Sequence, residues 1–172
     1  MAQKDVLIIG CAGKPAPNAI TVDIDPEHHP DVVHDLQVVP WPFEDNSFRE
    51  VIAHHVLEHL NDLSGVMREL HRVCRPGGTI YIEVPHHTSW FAKGPQHKLY
   101  FNYFSFDGYV AGKTSWITAR KFCCLDREVT FHKFHRMFFL HKIFNRFPLS
   151  YERFFCYVFP AEHVKVRLSP QK

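Results

Sequence analysis

Two short apolar strands flank a gap that contains prolines and is too short for a full helix. That gap limits the fold more than any other feature of the chain. Val6 to Ile9 is a continuous apolar run closed by Gly10, the pattern of a strand buried on both faces. Ala19 to Asp25 is a second strand ending in acids. Two parallel neighbours need a crossover between them, ordinarily a helix. Here Pro15 and Pro17 lie inside it. A helix accepts proline only in its first turn and needs several turns to hold together. The spacing therefore predicts a loop or a single turn.

The next elements support a sheet of parallel strands. Asp31 to Leu36 reads as a third strand, "WPFEDNSFRE" as a turn-rich connector, and Glu50 to His55 as another buried strand. Then the period changes. Leu60, Leu63, Met67, Leu70 and Val73 or Cys74 recur at helical spacing, with Asn61 or Asp62 available as N-cap, and "RPGG" stops the helix. Thr79 to Pro85 alternates as a strand. Strands alternating with a helix and joined by tight turns predict an α/β fold. Beyond Pro85, "SWITARKFCC" and "REVTFHKFH" are candidate paired strands, Met137 to Phe159 reads as amphipathic helix broken at Pro148, and Glu162 to Ser169 as a last strand. With no internal repeat or linker, residues 1–172 read as a single domain.

Composition narrows the class. Hydrophobic residues are 45% of the chain and charged residues 22%, which fits a globular protein and excludes a disordered one. A net charge of +2 does not favour a nucleic-acid partner. No apolar run approaches the roughly 18 residues that would span a bilayer. The first residues lack a secretory layout, so a cytoplasmic setting is expected. The five cysteines are odd in number and lack CxxC spacing, so they read as small buried residues rather than a disulfide or zinc framework.

The segments "VLIIGCAG", "VDID", "HDLQVVPWPFEDNSFREVIAHHVLEHL" and "ELHRVCRPGGTIYIEVP", in this order, resemble the class I S-adenosylmethionine-dependent methyltransferases. They are similar to a compact subgroup with a shortened first crossover, associated with glycan or lipid modification. The resemblance implies a Rossmann-like methyltransferase fold, a mostly parallel seven-strand sheet with an antiparallel last strand. It implies S-adenosylmethionine as cofactor, with Asp23 on the ribose hydroxyls (Asp25 as fallback) and Asp35 with Leu36 at the adenine. It places Gly10, Cys11, Ala12 and Gly13 beside the methionine moiety, with Ile24 and His54 completing the cofactor-binding set. One position departs from the family: Ile8 stands where an acid usually precedes the first glycine by two residues.

The histidines suggest where chemistry occurs. His28–His29, His54–His55 and His86–His87 all follow strands and should share one rim of the sheet, where ligands bind in open α/β folds. Methyl transfer to an alcohol requires an in-line acceptor and loss of its proton, and a histidine suits that role. His55, His86 and His87 are the candidate bases or acceptor-orienting groups, with no metal expected. Residues 86–112 are the candidate acceptor lid, and Glu58, His59, His97, Tyr100 and Phe101 the candidate acceptor contacts. "HVLEH" also has the inverted zinc-protease spacing, which on a helix would put His55 and His59 on one face. A metal-dependent hydrolase using His55, Glu58 and His59 is thus a rival, without an apparent third ligand. The aromatic and basic stretch 131–160 reads first as helix packing its phenylalanines on the sheet. Peripheral membrane contact and a homodimer face are its alternatives. The expected function is O-methylation of a small-molecule or glycan or lipid-linked acceptor. A non-catalytic methyltransferase-like binding module is the alternative.

Overall fold

The computed structural model describes residues 4–112, 122–133 and 139–172. Its core is one seven-stranded sheet: β1 (Val6–Ile9), β2 (Ile20–Asp23), β3 (Val32–Val33), β4 (Phe48–His54), β5 (Cys74–Pro85), β6 (Phe122–Phe131) and β7 (Ala161–Pro170). The strands lie in the order β3-β2-β1-β4-β5-β7-β6. The first five are parallel, while β7 is antiparallel to both β5 and β6. Strand order reverses between β1 and β4, so the crevice beyond their carboxyl ends is the switch point at which such sheets bind ligands.

The gap between β1 and β2 contains no helix. Its loop is closed by turns, with Lys14 N donating to Cys11 O (3.0 Å) and Ala19 N to Ala16 O (3.0 Å). The next two crossovers lack α-helices too, containing only a 3-10 turn at Pro26–His28 and a run of bends before β4. The one helix among the parallel strands is α1 (Leu63–Val73), capped by Asp62, which accepts from Gly65 N at 2.9 Å. It buries Val66, Met67, Leu70 and Val73.

The helix-free connector before β4 is held to α1 instead. Arg72 donates to Phe43 O, Trp41 O and Asp45, and also grips Glu69, which in turn accepts from Trp41 N. The bonds to the largely buried Glu69 carboxylate contribute about 1.5–3 kcal/mol each, and the one to exposed Asp45 much less. Trp41 is thereby buried, and its indole N–H donates to Leu36 O at 3.0 Å. A clamp on α1 thus fixes the loop after β3.

The second half departs from the sequence expectation. The cysteine pair at 123–124 and the run from Arg127 to Phe131 are not two paired strands; they form the single strand β6, bulged between Cys124 and Asp126. Its partner is β7, because a strand joining two long edges buries more than a local hairpin would. Residues 115–121 and 134–135 of the proposed pair, and 137–138 of the expected helix, lie outside the described residues. The tail folds as α2 (Leu140–Arg146), a turn at Pro148–Ser150 and a π-type turn at Tyr151–Phe155. Phe144 and Tyr151 enter the core, but Phe139, Ile143, Phe147, Phe154 and Tyr157 remain exposed. The packing expectation therefore holds for only part of this stretch. Among the described residues, no helix is long and apolar enough to cross a membrane.

Candidate active site

Beyond the ends of β1 and β2 lies a cavity of about 530 Å³, within the usual range for small-molecule sites. Gly10 forms its floor at φ +67°, a left-handed conformation that suits glycine. A Cβ there would also meet Val56 at 2.8 Å. Asp23, 8% exposed, ends β2 beneath the glycine turn. Its carboxylate accepts from Ala12 N (2.9 Å) and Asp25 N (3.1 Å) and lies 3.2 Å from His28 Nδ1. Burial works to raise its pKa, but the two N–H donors and His28 outweigh it, so the carboxyl stays below its ordinary value.

Ala12, Ile24, Asp35 and Leu36 line the same cavity. Asp35 follows β3 with one oxygen accepting from Gln37 N at 2.9 Å, and Leu36 is held from behind by Trp41. Six of the nine expected cofactor residues thus come together. Cys11 is buried and Gly13 faces His28, both off the cavity wall. His54, the last residue of β4, lies off the wall of both cavities, its ring toward Tyr81 (ring centroids 5.2 Å) and its Nδ1 3.7 Å from Glu83 Oε2. Ile8 pairs between Thr21 and Ile52, so β1 offers no carboxylate at this point.

A second cavity of about 320 Å³ adjoins the first, and His55 and His59 border both. Glu58, Phe91, His97 and His163 complete most of its wall. His55 sits just past β4 at φ +51°, strained for a non-glycine residue. Its Nδ1 lies 3.2 Å from Glu58 Oε1, and its Nε2 faces Glu83 Oε1 at 4.0 Å. Burial would raise the Glu83 pKa, yet the Tyr81 hydroxyl, Lys165 and neighbouring histidines keep it low. Burial, with His55 nearby, lowers the pKa of His163.

Other expected residues lie elsewhere. His86 is wholly buried, with Nδ1 on Thr88 Oγ1 (2.7 Å) and Nε2 on Glu152 Oε1 (3.1 Å). His87 packs on His86 and Tyr157 and reaches neither cavity. Of the lid 86–112, Phe91, Gln96, His97 and Lys98 border the cavities. Phe101 is instead core, stacked on Phe106 at 5.5 Å, and Tyr100 points to solvent. "HVLEH" is not an α-helix: only Leu57–His59 form a 3-10 turn, so His55 and His59 do not share a helical face. The hydrolase set separates accordingly, since His55 groups with Glu83 and His163, while Glu58 and His59 group with His97.

The sequence reading missed His34, Gln37, Gln96, Lys98, Glu83 and His163. Glu83 left a signal, an acid inside the apolar run "TIYIEVP". The others sit in loops or a distant strand and left none.

Residues 12–82 match the methyltransferase domain family model. No curated protein matches the chain by sequence. Solved structures show the fold. A SAM-dependent methyltransferase from Archaeoglobus fulgidus is 16% identical, with 95% of this chain and 85% of that one covered at a TM-score of 0.62. An S-adenosylmethionine-dependent methyltransferase from Mesorhizobium loti is 14% identical, with 98% and 93% covered at 0.58. The [4+2]-cyclase SpnF is 17% identical, with 95% and 73% covered at 0.58. Residues 12–82 are thus similar to the methyltransferase domain family, within a chain that has the fold of solved S-adenosylmethionine-dependent methyltransferases.

Proposed function

We propose that the chain methylates a hydroxyl oxygen of a small-molecule or glycan acceptor, lipid-linked acceptors included, in a cytoplasmic setting. The observation that carries this reading is the pair of adjoining cavities sharing His55 and His59. The first has the polar anchors a nucleoside needs, Asp23 at the end of β2 and Asp35 in the loop after β3. The second is lined by histidines and aromatic carbon, suited to hold and deprotonate an alcohol.

When bound, S-adenosylmethionine supplies an electrophilic methyl on a sulfonium. Asp23 and Asp35 hold the nucleoside end. Glu58 orients His55 by accepting from Nδ1, which leaves Nε2, 4.0 Å from Glu83 Oε1, as the base. The acceptor's O–H proton passes to His55. With the cofactor bound, an acceptor oxygen so held would take the methyl as the S–C bond breaks, giving a methyl ether and S-adenosylhomocysteine. His59, on the border of both cavities, orients the acceptor. The exposed aromatic face around Phe147, Phe154 and Tyr157, with Lys142, Arg146 and Arg153 close in sequence, supports acceptors presented at a lipid surface.

A non-catalytic binding module is the second reading. The Asp23 carboxylate is already engaged by two backbone N–H groups and His28, and Ile8 replaces an acid. A fold also does not dictate its chemistry. Calorimetric titration with S-adenosylhomocysteine, parent beside Asp23→Ala, separates the two. Micromolar binding by the parent, weakened at least tenfold in the variant, supports the enzyme reading. No binding by the parent overturns it.

A further inference from the structure

We propose that Glu58, His59 and His97 form a site for a divalent first-row metal ion in the second cavity. Ligand atoms of the three lie within 4.8 Å of one another. All three residues line that cavity. Ligands sharing one ion at about 2.0–2.2 Å stand a little over 3 Å apart, so closure requires a shift of about 1 Å.

Four features distinguish a site from a chance cluster. Glu58 is 1% exposed, and its Oε2 is buried without a hydrogen-bond partner. Such a carboxylate oxygen is costly unless something cationic or donating meets it. The other oxygen is already used by His55. Second, His59 Nδ1 lies 3.3 Å from Gln96 O, and a carbonyl can only accept. Nδ1 therefore carries the proton, and Nε2 presents a bare lone pair, the arrangement that orients metal-binding histidines. Third, Nδ1 of His97 is also buried without a partner, and its ring packs on His59 at 4.7 Å. Fourth, the segment bearing His97 is fixed, because Lys98 N and Leu99 N both donate to Glu58 O, at 2.7 and 3.1 Å. The ligands are thus held together by backbone bonds between two segments distant in sequence.

The neighbouring cluster of His55, Glu83 and His163 lacks these features. Glu83 already accepts from the Tyr81 hydroxyl at 2.7 Å and pairs with Lys165, and His163 Nδ1 is engaged with Thr130. Two imidazoles and one carboxylate favour Zn²⁺, Fe²⁺, Co²⁺ or Ni²⁺ over Mg²⁺ or Ca²⁺. An acceptor oxygen bound there would sit beside the donor cavity, with its hydroxyl proton acidified. This last role rests on the O-methylation reading, but the site itself does not.

The test is titration of tag-free protein with Co²⁺, read by visible d–d absorption, and with Zn²⁺, read by calorimetry. S-Adenosylhomocysteine binding is measured in every variant, and far-UV circular dichroism reports folding. The expected result is one equivalent of metal bound by the parent and by His163→Ala. In His97→Ala and Glu58→Gln, metal affinity should fall at least tenfold while S-adenosylhomocysteine still binds. Absence of binding by the parent, or loss in His163→Ala with retention in His97→Ala, overturns the ligand set. Since metal and nucleoside are titrated separately, failure of one reading leaves the other standing.

Discussion

The ends of β4 and β5 carry the same two letters and have opposite fates. His54–His55 and His86–His87 both follow central parallel strands and reach the same rim. At β4, His55 is exposed and borders two cavities. At β5, His86 has no exposure and both ring nitrogens are taken. The difference comes from what lies over each end. Above β5 the π-type turn brings Tyr151 and Glu152 inward, with Cys156 N donating to Tyr151 O at 2.9 Å and Glu152 also accepting from Tyr103 N. Among the described residues no equivalent segment covers the end of β4, and the helix-free first crossover leaves that side open. One rim thus serves structure at β5 and offers a ligand site at β4.

Substitutions should separate the two ends, and the largest effect belongs to the covered one. His86→Ala leaves the Glu152 carboxylate buried beside an empty site. Stability should fall by about 3–5 kcal/mol, read by urea denaturation. A loss under 1 kcal/mol would erase the distinction between the rims. His55→Asn should act the other way. Asparagine tolerates the positive φ, so stability should stay within about 0.5 kcal/mol. Transfer of a tritiated methyl to those phenols or sugars in a panel that the parent accepts should fall about 10²-fold. Unchanged transfer would remove His55 from the chemistry.

Acid should unfold the protein in two stages. Burial first, and cationic neighbours second, hold His54, His87 and His163 below the ordinary histidine value of 6.5. As pH falls through 6.5, the unfolded chain takes up protons that the folded chain refuses, so stability declines. Asp23, Glu83 and Glu152 lie below their ordinary values of 3.8 to 4.5 despite burial, so their contribution is present above that range and is lost on further acidification. Thermal melts from pH 8 to 3 should show both stages, with His87→Ala shrinking the first. A melting temperature flat down to pH 5 would refute it. The smallest effect is expected on the outward face of the π-type turn. Phe154 is 67% exposed, and Phe154→Ser should change stability by no more than about 0.5 kcal/mol.

Part of what could be read locally was read correctly. Val6–Ile9 matches its apolar run and the prolines exclude a helix before β2, because each depends on neighbours in sequence, whereas α1 ends at Val73 ahead of the glycines, which β5 takes up. The carboxylates at 23 and 35 reach the cavity, Asp23 because the end of β2 fixes its direction and Asp35 from the loop after β3. Tertiary structure decided the rest. It placed His163 from β7 against His55, set His97 on His59 across the chain, and covered His86 with Glu152. It also ran the described parts of the two segments expected to pair, residues 122–124 and 127–131, into the one strand β6. A sequence pattern records which residues prefer burial or a strand, but a side chain's partner depends on which distant segment packs over it, and identical histidine pairs carry no trace of that choice.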